Sequence, residues 1–233
     1  MEKYFDSTYL WNAFPQILPF LGVTLLVTIL AVLLGTLLGL LLAFMKLSPS
    51  KISQRIANGY TTIMRCTPSI VLLFLIYYGV PALAESLFSL NLQDVHTGFY
   101  VVITFGLQFA AMMSEVIRSS LLAVPKGQYE AAVSVGLTPS KAYMRIIFPQ
   151  ALLFALPNIG NGIISVLQEG ALAYTIGFID IVGKANLIIA NNLNTHTLEI
   201  FLALGLIYWL LAISIDQFFA LLERKLRVGK DVA

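Results

Sequence analysis

Two carboxylates, Glu115 and Glu169, stand inside long apolar stretches of this chain, and Gln108, Met112 and Gln168 lie close to them in sequence. An ionised group is costly in hydrocarbon, so a carboxylate in such a setting faces a bundle interior or a water-filled cavity. These five residues are therefore candidates for the lining of a path across a membrane. Plainer uses compete with that reading. Arg118 follows Glu115 by one helical turn and invites an intrahelical ion pair. Glu169 stands beside Gly170, where a helix break would need polar support, and Gly160, Gly162 and Gly177 permit close helix packing. Met112 and Met113 can equally well fill a core.

Other chemistries lack residues. His96 and His196 show no metal-ligand spacing and have no nucleophile beside them, and the single Cys66 rules out an internal disulfide. No G-x-x-x-x-G-K-[ST] stretch occurs, so the chain has no nucleotide site of that type. A formal charge of +2 does not suggest a nucleic-acid partner.

The elements that must position these groups are membrane helices. With 58% hydrophobic and 11% charged residues and a mean hydropathy of +0.86, the chain holds more apolar surface than a soluble domain of 233 residues buries. Cutting at the charges predicts five spans, at about 20–45, 57–82, 97–122, 152–178 and 198–222. Pro15 and Pro19 mark an interfacial lead-in to the first. Only helices satisfy their own backbone in lipid. The opening Glu2, Lys3 and Asp6, with the long apolar run behind them, are not expected of a cleaved signal. Placing the first loop inside gathers 12 of the 14 Lys and Arg residues on the cytoplasmic side and leaves Lys3 and Lys184 outside. That asymmetry predicts an outer N terminus and an inner C terminus.

One polar interruption is ordered. It reads Glu130-Ala131-Ala132, three residues, Gly136, nine residues, Ile146, one residue, then Phe148-Pro149. Pro125 suits a helix start, Gly136 a helix end, and Thr138-Pro139 an N-cap with proline at the first helical position. Two short helices around a tight turn follow, the second running until Pro149 interrupts it. Small Ala131 and Ala132 would let a partner approach, and Glu130, Lys141 and Arg145 would make polar contacts around the rim.

This spacing resembles the E-A-A-x3-G-x9-I-x-L-P loop of permease subunits in bacterial ATP-driven importers. Nearly the whole chain is similar to the polar amino-acid permease branch of binding-protein-dependent ABC importers. Arg65-Cys66-Thr67-Pro68 resembles its R-G-T-P element, Glu115-Val116-Ile117-Arg118 and Val124-Pro125-Lys126-Gly127-Gln128 its approach to the loop, and Phe148-Pro149-Gln150-Ala151 with Ala155-Leu156-Pro157 its L-P-Q-A and A-L-P elements. Cys66 replaces glycine and Phe148 leucine. Gln168-Glu169-Gly170-Ala171-Leu172 stands where many relatives have a K-D-T-S-L or K-G-T-S-L type segment, which leaves substrate contacts there uncarried.

The resemblance implies an all-α integral membrane protein with about five spans, one permease domain over 1–233 and a cytoplasmic coupling bracket at 124–150. It implies a cytoplasmic (inner) membrane location, a second permease subunit, two ATPase subunits that bind ATP and Mg, and an extracytoplasmic solute-binding protein meeting loops near 83–96 and 180–197. It makes the chain a transport subunit and not an enzyme. The segments around Arg65-Cys66-Thr67-Pro68 and Ala173-Tyr174-Thr175-Ile176-Gly177 look closer to cystine permeases than to arginine or histidine ones. Arg65 and Pro68 are read as structural or gating residues, and Asn158 and Asn161, after Pro157, as support for a broken fourth helix or as substrate contacts. Phe20, Tyr100, Trp209 and Phe218 are read as interface anchors or packing groups. An ion-coupled transporter or channel using Glu115 and Glu169 is the alternative.

Overall fold

The computed structural model describes residues 5–92 and 94–228; Lys3 and Lys230 of the charge census lie outside them. The chain runs through α1 (Ser7–Ile17), α2 (Leu21–Leu47), α3 (Lys51–Cys66), α4 (Ser69–Phe88), α5 (Thr97–Ala123), α6 (Lys126–Ser134), α7 (Pro139–Ala142), α8 (Phe148–Gly170), α9 (Ile181–Asn191) and α10 (Thr197–Val228). No strand occurs among the described residues. Five stretches are long and apolar enough to cross a bilayer: Ser7–Leu47, Ser69–Phe88, Thr97–Ala123, Pro139–Ile176 and Thr197–Leu226.

Three boundaries differ from expectation. The lead-in before α2 is itself a helix, joined to it by a tight 3-10 turn over Leu18–Phe20. The second span begins at Ser69 and not near 57, because α3 is a separate helix that ends at Thr67-Pro68. A residue before proline is pushed out of the helical region, and Thr67 is extended, with φ −91° and ψ 122°. The helix α3 exposes Ile52, Ile56 and Ile63 and buries Ala57 and Thr61, so it is two-faced where a span would be apolar all round. The third difference is at Pro149, which interrupts nothing. A wide π turn over Tyr143–Ile147 carries α7 into α8, and Pro149 falls directly after it, in the first turn of α8.

The tightest packing joins α2 and α5, which run side by side in the same direction. On α2 the buried face is Thr24, Thr28, Ala31, Gly35, Gly39, Leu42 and Lys46 with Ala43, a stripe at helical spacing. A Cβ added at Gly35 would stand 2.6 Å from the Gly106 carbonyl oxygen, and one at Gly39 2.8 Å from the Met113 Cβ. Small residues at such spacing bring two backbones together in lipid, where helices gain no hydrophobic force from one another. The core around Ala31, Val101, Phe105, Phe109 and Met113 grows from this seam.

A short apolar helix, α9, occupies the region read from sequence as part of an outer loop. Asp180 caps it, accepting from the Val182 and Gly183 N–H groups, each at 2.9 Å. The Thr24 hydroxyl donates to Asp180 and accepts from the Ile181 N–H, both at 3.2 Å, tying α9 to α2. Burial pushes the Asp180 carboxyl above its usual range.

Two outcomes follow from this packing. Gly35→Val should destabilise the purified protein by about 2 kcal/mol through overpacking. Gly59→Ala, in α3 with nothing within 4 Å of the added carbon, should leave it unchanged or firmer; thermal unfolding in detergent compares the two. At Asp180, a raised folded pKa means the stabilising protonated form is lost as pH rises through that value. Asp180→Asn keeps the cap and removes that loss, whereas Asp180→Ala removes the cap at a cost of about 1 kcal/mol. Unfolding temperatures between pH 4 and pH 8 should fall for the parent relative to Asp180→Asn as pH increases.

Candidate functional site

The break between α3 and α4 opens a cavity. With Pro68 and Thr67 both extended, the Gln108 amide of α5 reaches across, its Nε2 donating to the Ser69 hydroxyl at 2.9 Å and more weakly toward the Thr67 carbonyl at 3.5 Å. The Ser69 hydroxyl in turn donates to Glu169 Oε2 of α8 at 2.8 Å. Three helices are thereby joined around a space of about 490 Å³, whose lining includes Arg65, Cys66, Pro68, Gln108, Met112 and Glu169. Gln108 Oε1 is buried there with no partner among the described residues. A buried acceptor left unpaired costs about 1–3 kcal/mol, so it marks a place for an incoming donor.

A second, smaller cavity of about 230 Å³ adjoins the first, sharing Arg65 and Met112 and adding Glu115, Ser119 and Asn158. Glu115 is held by two cations. Lys46 Nζ meets Oε1 at 2.5 Å, and Arg118 meets Oε2 at 2.8 Å across one helical turn. Lys46 also donates to the hydroxyls of Thr61 and Ser114, each at 3.1 Å, so all three of its N–H groups are used and α2, α3 and α5 are pinned at one point. Its side chain is 1% exposed. Tyr60 adds a parallel tie from α3, its hydroxyl donating to the Leu107 carbonyl at 2.8 Å, and burial raises that phenol to about 12.

The bracket after α5 is built largely as its residues suggest. Gly136 has φ +89°, a value that glycine adopts freely, and Leu137 N–H returns to the Ala132 carbonyl at 3.1 Å to close the turn. Thr138 stands at the N-cap of α7, but its hydroxyl makes no capping bond. Glu130, Ala131, Gly136, Lys141 and Arg145 are exposed, as are the apolar Val133, Val135 and Met144. Ala132 corrects the expectation of a free small-residue face: it is 6% exposed and turned into the bracket's own fold. Val124, Ile147 and Ala151 pack together beneath, joining the bracket to the end of α5 and the start of α8.

Of the residues singled out from sequence, the structure brings Arg65, Pro68, Gln108, Met112 and Glu169 to one cavity and Glu115 and Asn158 to its neighbour. It leaves Gln168 exposed and off both. Adjacent helical positions lie about 100° apart, so Gln168 and Glu169 cannot face one space. Asn161 is exposed, and α8 continues through Pro157 without a break, so neither asparagine supports a broken helix. Met113 is core. Tyr100 is buried with its hydroxyl on the Leu92 carbonyl, while Trp209 and Phe218 lie exposed on α10. The two histidines serve locally and apart: His96 caps α5, and His196 stacks on Tyr9 beside Glu199, which accepts the Asp6 N–H. A larger cavity of about 630 Å³ near His96 is almost wholly apolar, with no set of polar groups to orient a solute.

Sequence reasoning missed Lys46 and Asp180 as buried groups. Both could have been found on periodicity, since Lys46 continues the Gly35, Gly39, Leu42 stripe, and Asp180 opens an apolar run as helix caps do.

Comparison with known proteins places these features in context. Residues 35–228 match the family model described as a binding-protein-dependent transport system inner membrane component. The chain is 37% identical over 227 residues to the L-cystine transport system permease protein TcyL of Bacillus subtilis (strain 168), covering 97% of this chain and 94% of that protein. It is 35% identical over 187 residues to the histidine/lysine/arginine/ornithine transport system permease protein HisQ of Salmonella typhimurium, covering 79% and 81%. Among solved structures it resembles a chain of an amino acid ABC transporter crystallised with histidines, with TM-score 0.81, 32% identity and coverage of 95% and 99%. A chain of the MetNI methionine ABC transporter shares the fold at TM-score 0.64 and 19% identity, over 95% and 99%.

Lys46→Met should destabilise the protein by about 3 kcal/mol, the low end for breaking a buried pair, because Arg118 still holds Glu115. Lys46→Met combined with Glu115→Gln should recover part of that loss. Thermal unfolding of the two variants in detergent checks both.

Proposed function

The chain belongs to the binding-protein-dependent transport system inner membrane components and is a permease subunit of an amino-acid ABC importer; from that premise we propose that the cavity at the Thr67-Pro68 break is its amino-acid path and the Glu130–Pro149 bracket its seat for an ATPase. It is a multi-pass protein of the bacterial cytoplasmic membrane and not itself an enzyme. The observation that carries the path assignment is the unfilled Gln108 acceptor, set beside Ser69 and Glu169 where three helices meet. Irregular backbone at membrane depth is tolerated where it lines a cavity, which is where Thr67 and Pro68 stand.

The bracket supports the second half of the reading. It presents an exposed mix of Glu130, Lys141 and Arg145 around apolar Val135 and Met144, and the charge asymmetry of the sequence supports a cytoplasmic position for it. Two ATPase subunits that bind ATP and Mg, a second permease subunit and an external solute-binding protein complete the importer. Coupling requires that the ATPase favour one arrangement of the helix bundle over another. Cystine is the proposed cargo, supported by the 37% identity to TcyL and by Arg65-Cys66-Thr67-Pro68 at the cavity wall. A proton relay through Glu115 and Glu169 fits poorly, since Lys46 and Arg118 occupy both oxygens of Glu115.

Glu130→Lys and Gly136→Asp should each leave abundant, membrane-inserted protein that no longer retains the ATPase on co-purification, with transport lost. Gly136→Asp acts through its positive φ and Glu130→Lys through charge, so recruitment surviving both would remove the bracket from this role. Uptake of labelled amino acids with the native binding protein tests the cargo, and cystine should exceed the others.

A further inference from the structure

Arg65 is the one charged residue that lines both cavities, and it makes no hydrogen bond or ion pair with any described residue. The two spaces differ in the acceptors they leave open. Around the larger one, Arg65 and Glu169 balance. Around the smaller one, the charged lining is Arg65 and Glu115, and both oxygens of Glu115 are already held by Lys46 and Arg118, which stand outside that lining. Glu169 has a single hydroxyl on it, and Gln108 Oε1 has no partner, so the larger space keeps acceptors for an ammonium group. The smaller space offers no free acidic acceptor.

Resting on the amino-acid path proposed above, we propose that Arg65 divides that path and selects for net-neutral amino acids against dibasic ones. The substrate carboxylate pairs with Arg65, and the α-ammonium meets Glu169 and Gln108 Oε1. Arg65 is a free cation on a long flexible stem at the wall common to both spaces, so the carboxylate stays paired as the solute passes from one to the other. A neutral amino acid then crosses with its charges answered. A lysine or arginine side chain brings a further cation to a space whose one lining carboxylate already answers Lys46 and Arg118, and it finds no open acidic acceptor there. Met112, shared by the same two spaces, supplies a flexible apolar neighbour that adjusts to the passing side chain.

The test uses the detergent-solubilised permease with its co-purified ATPase and no binding protein, so that selectivity is read from the membrane domain alone. Binding of radiolabelled L-cystine, L-glutamine, L-arginine and L-lysine is measured for the parent, Arg65→Lys, Arg65→Gln and Arg65→Glu. Cystine and glutamine should bind at least tenfold more tightly than arginine and lysine in the parent. Arg65→Gln should lose at least tenfold for the neutral pair, Arg65→Lys should retain part of it, and Arg65→Glu should shift preference toward arginine. Equal parent affinity for arginine, or an Arg65→Gln variant within twofold of the parent, overturns the proposal. So does absence of any amino-acid binding to the parent. In each of those cases an ATPase that still co-purifies leaves the importer reading standing, whereas its failure to co-purify with the parent counts against the seat assigned to the bracket.

Discussion

The close approach of α2 to α5 is the contact on which the rest of the molecule depends. Lipid tails are as apolar as leucine, so the two helices gain little by simply hiding side chains from solvent. What remains is dispersion and backbone proximity, and both demand small residues at the seam. Gly35 and Gly39 supply them, with the Gly106 backbone and the Cβ carbons of Phe109 and Met113 lying where side chains would otherwise project. The seam also sets the register. Eleven residues beyond Gly35, Lys46 arrives on the same face at the level of Ser114 and Glu115, where its charge is satisfied.

With the register fixed, two irregular segments gain a purpose. The Thr67-Pro68 break frees a backbone carbonyl and directs Ser69 toward Glu169, and Gln108 reaches both because α5 is held firmly by its neighbour. Past Glu169 the chain tightens into a 3-10 stretch over Ala171–Ile176 and turns at Gly177, whose φ of +78° few other residues adopt. Ser69 and Glu169 thus sit at the ends of regular helices, while Gln108 reaches them from the middle of α5.

Much of this was legible in the sequence. The five spans follow from hydropathy, and the bracket from Pro125, Gly136 and Pro139, because each of those residues limits backbone conformation by itself. The path candidates Gln108 and Glu169 were found on cost, since polar groups at such depth need a reason, and Met112 on its flexible thioether beside them. What escaped depended on neighbours. Lys46 reads as a loop charge until the α2 stripe is followed to its end, and α3 reads as part of a span until its exposed isoleucines and buried threonine are separated by face. Gln168 was grouped with Glu169 by adjacency in sequence, although adjacency in a helix places two side chains on different faces. Pro149 misled for a related reason: proline reads as a stop, whereas here it follows a π turn through which the helix continues.

The same π turn bears on how force would cross the molecule. Had Pro149 broken the chain, α7 and α8 would meet at a flexible joint, and a push on the bracket would be absorbed there. Instead α7 runs through the turn into α8 without interruption, and Val124, Ile147 and Ala151 lock the bracket against the end of α5. On the proposed reading, an ATPase moving the bracket moves α8 as a lever whose other end carries Glu169. The Ser69 and Gln108 contacts are single hydrogen bonds, individually worth about 1 kcal/mol. They are far weaker than the fused helix that pulls on them, so the cavity is where such a displacement would be felt first.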